Sequence, residues 1–191
     1  MVKIGFIVEG DTEKIILDSK YFKKFCKSIE IEIAEPVIDA EGSGNLLPKN
    51  IDNYIQKIRQ SQPQKIVVLT DLEEEASVLK VRKRINSQDI DIVFVAVKAI
   101  ESWFLADTVA LASWLKVDSV YEEKPEETQN LPWDRLKELA KENKARGTGP
   151  SKPTFAKRFI NNHNFSIERA AKHSNCPSAK EFYDTLLAWG K

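Results

Sequence analysis

The first hundred residues alternate between short apolar runs and segments with helical periodicity. Runs of buried-strand type occupy residues 4–8, 65–70 and 92–97, and isoleucines alternate with glutamates over residues 31–33. Apolar residues at helical spacing follow each run. Strands without a polar face that alternate with helices are typical of a parallel sheet covered on both sides. The sequence therefore predicts an α/β protein with a four-stranded, mainly parallel sheet flanked by helices. Pro36 cannot donate to a strand ladder, so the second strand is expected at an edge.

No strand-type run follows Ile100. Residues 121–130 are polar and rich in glutamate, which predicts a linker or exposed loop. Helical patterns resume around residues 136–144, 154–161, 167–173 and 179–189. We therefore expect an α/β domain over residues 1–120 and a helical extension over residues 121–191, packed on it in one structural unit.

Charge is balanced over the whole chain but not along it. The 191 residues hold 29 lysines and arginines and 29 aspartates and glutamates. From residue 131 onward there are 12 basic against 6 acidic residues. A basic C-terminal region could help to bind a polyanion such as nucleic acid, and a solvated helical face explains the same pattern. Both interpretations stay open.

The sequence carries no pattern typical of secretion, of a membrane span or of a zinc site. The apolar run at residues 2–8 is too short for a signal-peptide core, and no stretch approaches the length of a membrane helix. Cys26 and Cys176 are far apart, and neither belongs to a C-x-x-C pair. We therefore expect a cytoplasmic protein that has no membrane partner.

Carboxylates follow three of the four predicted strands. Glu9 and Glu13 follow the first, Asp71 and Glu73 the third, and Glu101 comes shortly after the fourth. Because parallel strands end at the same edge of a sheet, we expect these groups to gather there, with Glu9 and Asp71 a few ångströms apart if the first and third strands are neighbours. Crowded carboxylates need a cation or a shared proton. Mg²⁺ or Mn²⁺ suits such oxygen ligands, although each acid alone is also typical of a turn, a solvated loop or a first helical turn.

Basic residues near the C-terminus supply candidate phosphate ligands. Ser151 is expected to cap a helix with Pro153 in its first turn, which places Lys152 beside free backbone N–H groups. A cation at a helix N-terminus suits a phosphate group, whereas a solvated loop lysine is the alternative. Lys144 and Arg146 could serve equally.

Two sets of motifs resemble a known family. Val8-Glu9-Gly10-Asp11-Thr12-Glu13, followed by Asp71-Leu72-Glu73, resembles the TOPRIM domain of topoisomerases, primases and OLD-type nucleases. Residues 100–107 (Ile-Glu-Ser-Trp-Phe-Leu-Ala-Asp) and 151–156 (Ser-Lys-Pro-Thr-Phe-Ala) further resemble short TOPRIM-like bacterial proteins, some of them associated with phage defence. The resemblance covers nearly the whole chain. It departs at Glu73, where the TOPRIM pattern usually has an aspartate, one methylene shorter.

The resemblance implies a TOPRIM-like Rossmannoid fold and Mg²⁺- or Mn²⁺-dependent nuclease chemistry on nucleic acid or another phosphodiester substrate. It also implies a protein partner in a defence system. Carried over by residue, it makes Glu9 a general acid/base or a metal ligand, and Lys152 is the second predicted catalytic residue. The implied metal ligands are Glu9, Asp71 and Glu73, with Glu13 and Glu101 for a second ion. The predicted phosphate-binding residues are Lys144, Arg146 and Lys152.

Two other function classes remain. A response-regulator receiver also has acids after its first strand and an aspartate after its third, but it needs paired acids directly after the first strand, a fifth strand and a lysine at the end of that strand. None of these is evident. A non-catalytic, regulatory TOPRIM-like binding module also stays open. Dinucleotide-binding and P-loop enzymes are disfavoured, because neither glycine-rich fingerprint is present.

Overall fold

The computed structural model describes residues 1–190, which form four strands and ten α-helices. The strands are β1 (Val2–Val8), β2 (Ile31–Asp39), β3 (Lys65–Asp71) and β4 (Ile92–Ala96). The helices between the strands are α1 (Asp11–Asp18), α2 (Lys20–Ser28), α3 (Pro48–Arg59), preceded by a 3-10 turn (Ser43–Leu46), and α4 (Val78–Arg84). The later helices are α5 (Glu101–Ala106), α6 (Thr108–Leu115), α7 (Pro132–Glu142), α8 (Lys152–His163), α9 (Ile167–Ala171) and α10 (Pro177–Trp189). None of these helices has the length and apolarity that crossing a bilayer requires.

All four strands are parallel, in the order β2-β1-β3-β4. This confirms the predicted α/β class and the four-stranded sheet with a helical C-terminal region. β1 lies directly beside β3, with Val8 opposite Leu69. The residues that follow these two strands therefore leave the sheet side by side.

Helices cover both faces of the sheet, because successive strand residues point to opposite sides. Phe6 and Leu69 belong to a large core that includes buried residues of α1, α2, α5 and α10. Ile7 and Val68 belong to a smaller core with residues of α3 and α4. The continuous apolar character of β1 and β3 reflects this burial on both faces.

The helices after residue 120 contribute directly to the larger core. Phe182, on α10, lies with its ring centroid 4.9 Å from Phe94 of β4 and 5.3 Å from Trp103 of α5. It also lies 6.4 Å from Phe6 of β1. The C-terminal helix α10 thus packs against the sheet itself.

Strand β2 is an edge strand, as expected, but it continues past Pro36 to Asp39. Gly5 of β1 lies opposite Ala34, whereas Ile7 lies opposite Ile38, so β2 has two more residues than β1 over this stretch. The irregularity accommodates a proline that has no N–H to donate. As a result, Asp39 reaches the same edge of the sheet as the ends of the other strands.

The segment over residues 121–130 is irregular, as predicted, yet it is not wholly exposed. Glu126 is buried and accepts hydrogen bonds from the backbone N–H of Ser178 at 2.9 Å, from the Ser178 hydroxyl, and from Cys176 Sγ at 3.3 Å. Its carboxylate therefore caps the N-terminus of α10. Burial is the main cause that raises the pKa of Glu126.

We expect Glu126→Ala to lower the free energy of unfolding by about 2 kcal/mol, since buried donors at the start of α10 lose a charged acceptor. Urea denaturation followed by circular dichroism measures this change. Glu127→Ala is the matched control, because that side chain is 71% exposed and pairs only with Lys124 at the surface; its loss should stay below about 0.5 kcal/mol. Equal midpoints for the two variants would contradict the capping role.

Candidate functional site

A cleft of about 600 Å³ lies at the carboxyl ends of the strands. Eight of its lining residues are acidic and only Lys152 is basic. The acidic residues are Glu9, Asp11, Glu13, Asp39, Glu41, Asp71, Glu73 and Glu101. The cleft thus holds all five carboxylates predicted as metal ligands, together with the predicted catalytic lysine.

Glu9 and Asp71 are held in place by the ends of two neighbouring strands. Glu9 Oε2 accepts hydrogen bonds from the Thr70 hydroxyl and from the backbone N–H of Asp71, the latter at 3.1 Å. Asp71 Oδ1 in turn accepts from the backbone N–H of Ile100 at 2.8 Å. The two acids therefore lie together, as expected if β1 and β3 are adjacent.

Glu13 lies in the first turn of α1, where it is buried against the other acids. Burial, together with repulsion from Glu9 and Glu101, raises the pKa of Glu13 to about 8. Burial likewise raises the pKa of Asp71 well above its usual range, with added repulsion from Glu13, Glu101 and Glu9, while Lys152 opposes the rise. The cleft therefore disfavours the simultaneous ionisation of its carboxyl groups.

Glu101 and Lys152 join the start of α5 to the start of α8. Glu101 is only 1% exposed, and Lys152 Nζ lies 3.2 Å from each of its carboxylate oxygens. The ammonium donates a hydrogen bond to Oε2, whereas Oε1 is buried without a hydrogen-bond partner among residues 1–190. The Ser151 side chain caps α8 by accepting from Thr154 N at 3.4 Å, with Pro153 in the first turn, as the sequence predicts.

Two further acids lie at the rim. Glu73 follows β3 with left-handed backbone, at a φ of 50°. Partial burial is the main cause that raises the pKa of Glu73, and repulsion from Glu9 adds to it. Asp39 was missed by the sequence reasoning, which ended the second strand near Pro36. Burial raises the pKa of Asp39 as well. The apolar pair Val37-Ile38 directly before Asp39 was the available signal for a strand that continues to this edge.

The other two predicted phosphate ligands lie outside the cleft. Lys144 lines a separate shallow groove with Lys137 and Lys141. Arg146 belongs to the same loop, and its carbonyl accepts a hydrogen bond from Trp114 Nε1 at 3.1 Å. Of the three predicted phosphate-binding residues, the fold brings only Lys152 to the carboxylates.

The cleft offers the oxygen ligands that a hard cation prefers, but its side chains are not arranged around one ion. Over residues 1–190, no group of three or more histidine, cysteine, aspartate or glutamate side chains is placed to hold a metal ion. Glu9 and Asp71 accept hydrogen bonds from the strand ends, and Glu101 faces Lys152. The available ligand atoms are nonetheless carboxylate oxygens, the type that Mg²⁺ prefers, and Glu101 Oε1 accepts no hydrogen bond. The side chains would have to rotate to bring these oxygens to one ion.

A second cavity, of about 510 Å³, lies between α2 and α9 and contains none of the predicted site residues. Its lining includes apolar side chains such as Phe22, Phe25 and Phe165. The carboxylate cleft is therefore the part of the described chain where the predicted site residues converge.

Comparisons of the chain with protein-family models, with curated proteins and with solved structures gave no match.

Proposed function

We propose that this chain is a TOPRIM-like, Mg²⁺- or Mn²⁺-dependent phosphodiesterase that acts on nucleic acid. The observation that best supports the proposal is the convergence of five predicted carboxylates and Lys152 on one cleft at the strand ends. Burial and mutual repulsion raise the pKa values of Glu13 and Asp71, and a divalent cation in the cleft would favour their charged forms. The motif resemblance supplies the reaction class.

In this proposal Asp71 and Glu73 hold the first ion, and Glu13 and Glu101 are available to a second. A bound divalent cation would supply charge neutralisation at the phosphate and an activated water. Glu9 is fixed by Thr70 and by the backbone of Asp71, so its carboxylate is positioned to take or give a proton at the reacting phosphate.

Lys152 positions the phosphate group. Its ammonium lies in the cleft, and its backbone begins α8, whose N-terminal N–H groups favour anions. A positive side chain and a helix N-terminus at one point suit a phosphodiester better than a neutral substrate.

The non-catalytic alternative has less support. A receiver-type module needs a fifth strand with a lysine at its end, and the sheet within residues 1–190 has four strands. A purely structural binding module gives no reason for crowding acids whose repulsion destabilises the fold. A protein partner in a defence system stays compatible with either function.

The metal site is tested first by thermal unfolding. With a Kd near 1 mM, about 10 mM Mg²⁺ should stabilise the wild-type protein by about 1.4 kcal/mol, because the ion binds only the folded state. For a chain of this size the melting temperature should rise by roughly 3–5 °C relative to EDTA. Differential scanning fluorimetry measures the shift.

Asp71→Asn should melt above the wild type in EDTA, because it removes a carboxyl group whose ionisation the cleft disfavours, while its amide oxygen can still accept from Ile100 N. It should also lose most of the Mg²⁺ response. Asp52→Asn, at an exposed position of α3, is the matched control and should respond like the wild type. If wild type and Asp71→Asn melt together in EDTA and respond equally to Mg²⁺, Asp71 does not belong to a metal site and the proposal is wrong.

A further inference from the structure

We propose that Lys152 is an internal counter-ion that takes the place of a divalent cation beside Glu101, and that cation binding releases it toward a phosphate group. The inference rests on the proposed function, since it concerns the same cleft. It assigns Lys152 two alternative partners and makes phosphate binding dependent on the cation.

Burial of Glu101 is the first reason. Burying a carboxylate until it is 1% exposed costs free energy unless a cation compensates its charge. Lys152 is the only basic residue that lines the cleft, so within the described chain it is the group that supplies this charge. Lys152 therefore supplies the positive charge that the buried Glu101 carboxylate requires.

The pair is also incomplete. Lys152 Nζ donates to Glu101 Oε2 and leaves the buried Oε1 without a hydrogen bond. One ammonium also faces eight acidic residues around the cleft. A divalent cation could bind the oxygen that accepts no hydrogen bond and bring two positive charges to the cleft, where the lysine brings one.

The two partners differ in exposure and in side-chain flexibility. The Lys152 side chain is 42% exposed and ends a flexible four-carbon stem, whereas the Glu101 side chain is enclosed. A divalent cation at Glu101 would repel an ammonium a few ångströms away. The lysine is therefore the partner that moves, and its backbone position keeps it at the N-terminus of α8. Since coupling between two ligands is reciprocal, phosphate and cation should strengthen each other's binding.

The test compares Mg²⁺ affinity of wild type, Lys152→Gln and Lys157→Gln by isothermal titration calorimetry. Lys157 is exposed on the same helix and does not line the cleft, so it is the matched control. Removing the competing charge should make Lys152→Gln bind Mg²⁺ about tenfold more tightly than the wild type. The same variant should melt below the wild type in EDTA, because Glu101 is left uncompensated. Lys157→Gln should match the wild type in both measurements.

A lysine that merely joins α5 to α8 gives a different result. Lys152→Gln would then melt lower in EDTA but bind Mg²⁺ no more tightly than the wild type, and the inference would be wrong while the proposed metal site stood. A wild-type protein that binds no Mg²⁺ would overturn the proposed function and this inference with it.

A second measurement uses the unaltered protein and so does not depend on a variant that folds. Lysine acylation mapped by mass spectrometry should show Lys152 modified several-fold faster in Mg²⁺ than in EDTA, since the released ammonium exchanges its carboxylate partner for water. The acylation rate of Lys157 should not change. Equal rates at Lys152 with and without bound Mg²⁺ would overturn the release.

Discussion

Asp107→Ala is expected to lower the free energy of unfolding by about 3 kcal/mol, because the Arg169 guanidinium and two backbone N–H groups lose a buried, charged acceptor. Asp107 is 0% exposed and lies between α5 and α6. Its carboxylate accepts from Arg169 Nε at 2.7 Å and Nη2 at 2.9 Å, and from the backbone N–H groups of Ser166 at 2.8 Å and Ala110 at 3.2 Å. One side chain thus caps α6 and ties it to the start of α9. The melting temperature should fall by roughly 10 °C.

Asp184→Ala is the matched control for this loss. Asp184 also accepts a hydrogen bond from a cation, Lys180 at 2.6 Å, but its side chain is 50% exposed and the pair lies within one helix. Its removal should cost no more than about 0.5 kcal/mol. Urea denaturation of both variants separates the two cases, and similar losses would mean that the buried contacts of Asp107 contribute little.

The same residue shows what the motif resemblance does and does not supply. Residues 100–107 carry part of the resemblance, and within them Glu101 lines the cleft whereas Asp107 pairs with Arg169 and does not line it. The sequence motif contains both an acid of the candidate site and an acid that holds helices together. Only the burial and partners of each separate the two roles.

The central strands could be predicted because their residues are buried on both faces. β1 and β3 appear as unbroken apolar runs, and their parallel arrangement follows from the helices between them. The end of β2 could not be predicted in the same way. Pro36 normally argues against a strand, and the two-residue irregularity opposite β1 that tolerates it depends on pairing.

Buried acids are the second kind of feature that sequence patterns miss. Glu126 looks like part of a solvated glutamate-rich loop, but its three donors come from Cys176 and Ser178, about 50 residues later. A buried polar residue with such partners has its hydrogen bonds satisfied, and composition does not distinguish it from a solvated one.

The carboxylates of the cleft were predictable because one rule of topology brings strand ends together. No such rule placed the basic residues. Lys144, Arg146 and Lys152 are close in sequence, yet only Lys152 begins the helix that packs on α1 and faces Glu101. The ion pair joins residues 51 positions apart, so it depends on the packing of the C-terminal helices.

Glu9→Gln should lower the rate of phosphodiester cleavage by about 10²–10⁴-fold if Glu9 is the general acid/base of the proposed reaction. Its amide oxygen can still accept from the Thr70 hydroxyl and from Asp71 N, so the end of β1 should keep its geometry. The variant should therefore retain the Mg²⁺-induced rise in melting temperature. A loss of both cleavage and Mg²⁺ response would make Glu9 a metal ligand instead.

The assay incubates purified protein with supercoiled plasmid and with RNA in Mg²⁺, in Mn²⁺ and in EDTA. Asp71→Ala should abolish both cleavage and the Mg²⁺ response while leaving the circular dichroism spectrum unchanged. Glu41→Gln, an exposed acid at the rim of the same cleft, is the matched control and should retain both. Glu9→Gln and Glu41→Gln make the same chemical change at two positions in the cleft. Cleavage at the wild-type rate in Asp71→Ala, in Glu9→Gln and in EDTA would mean that the carboxylates are not catalytic and that the proposed chemistry is wrong.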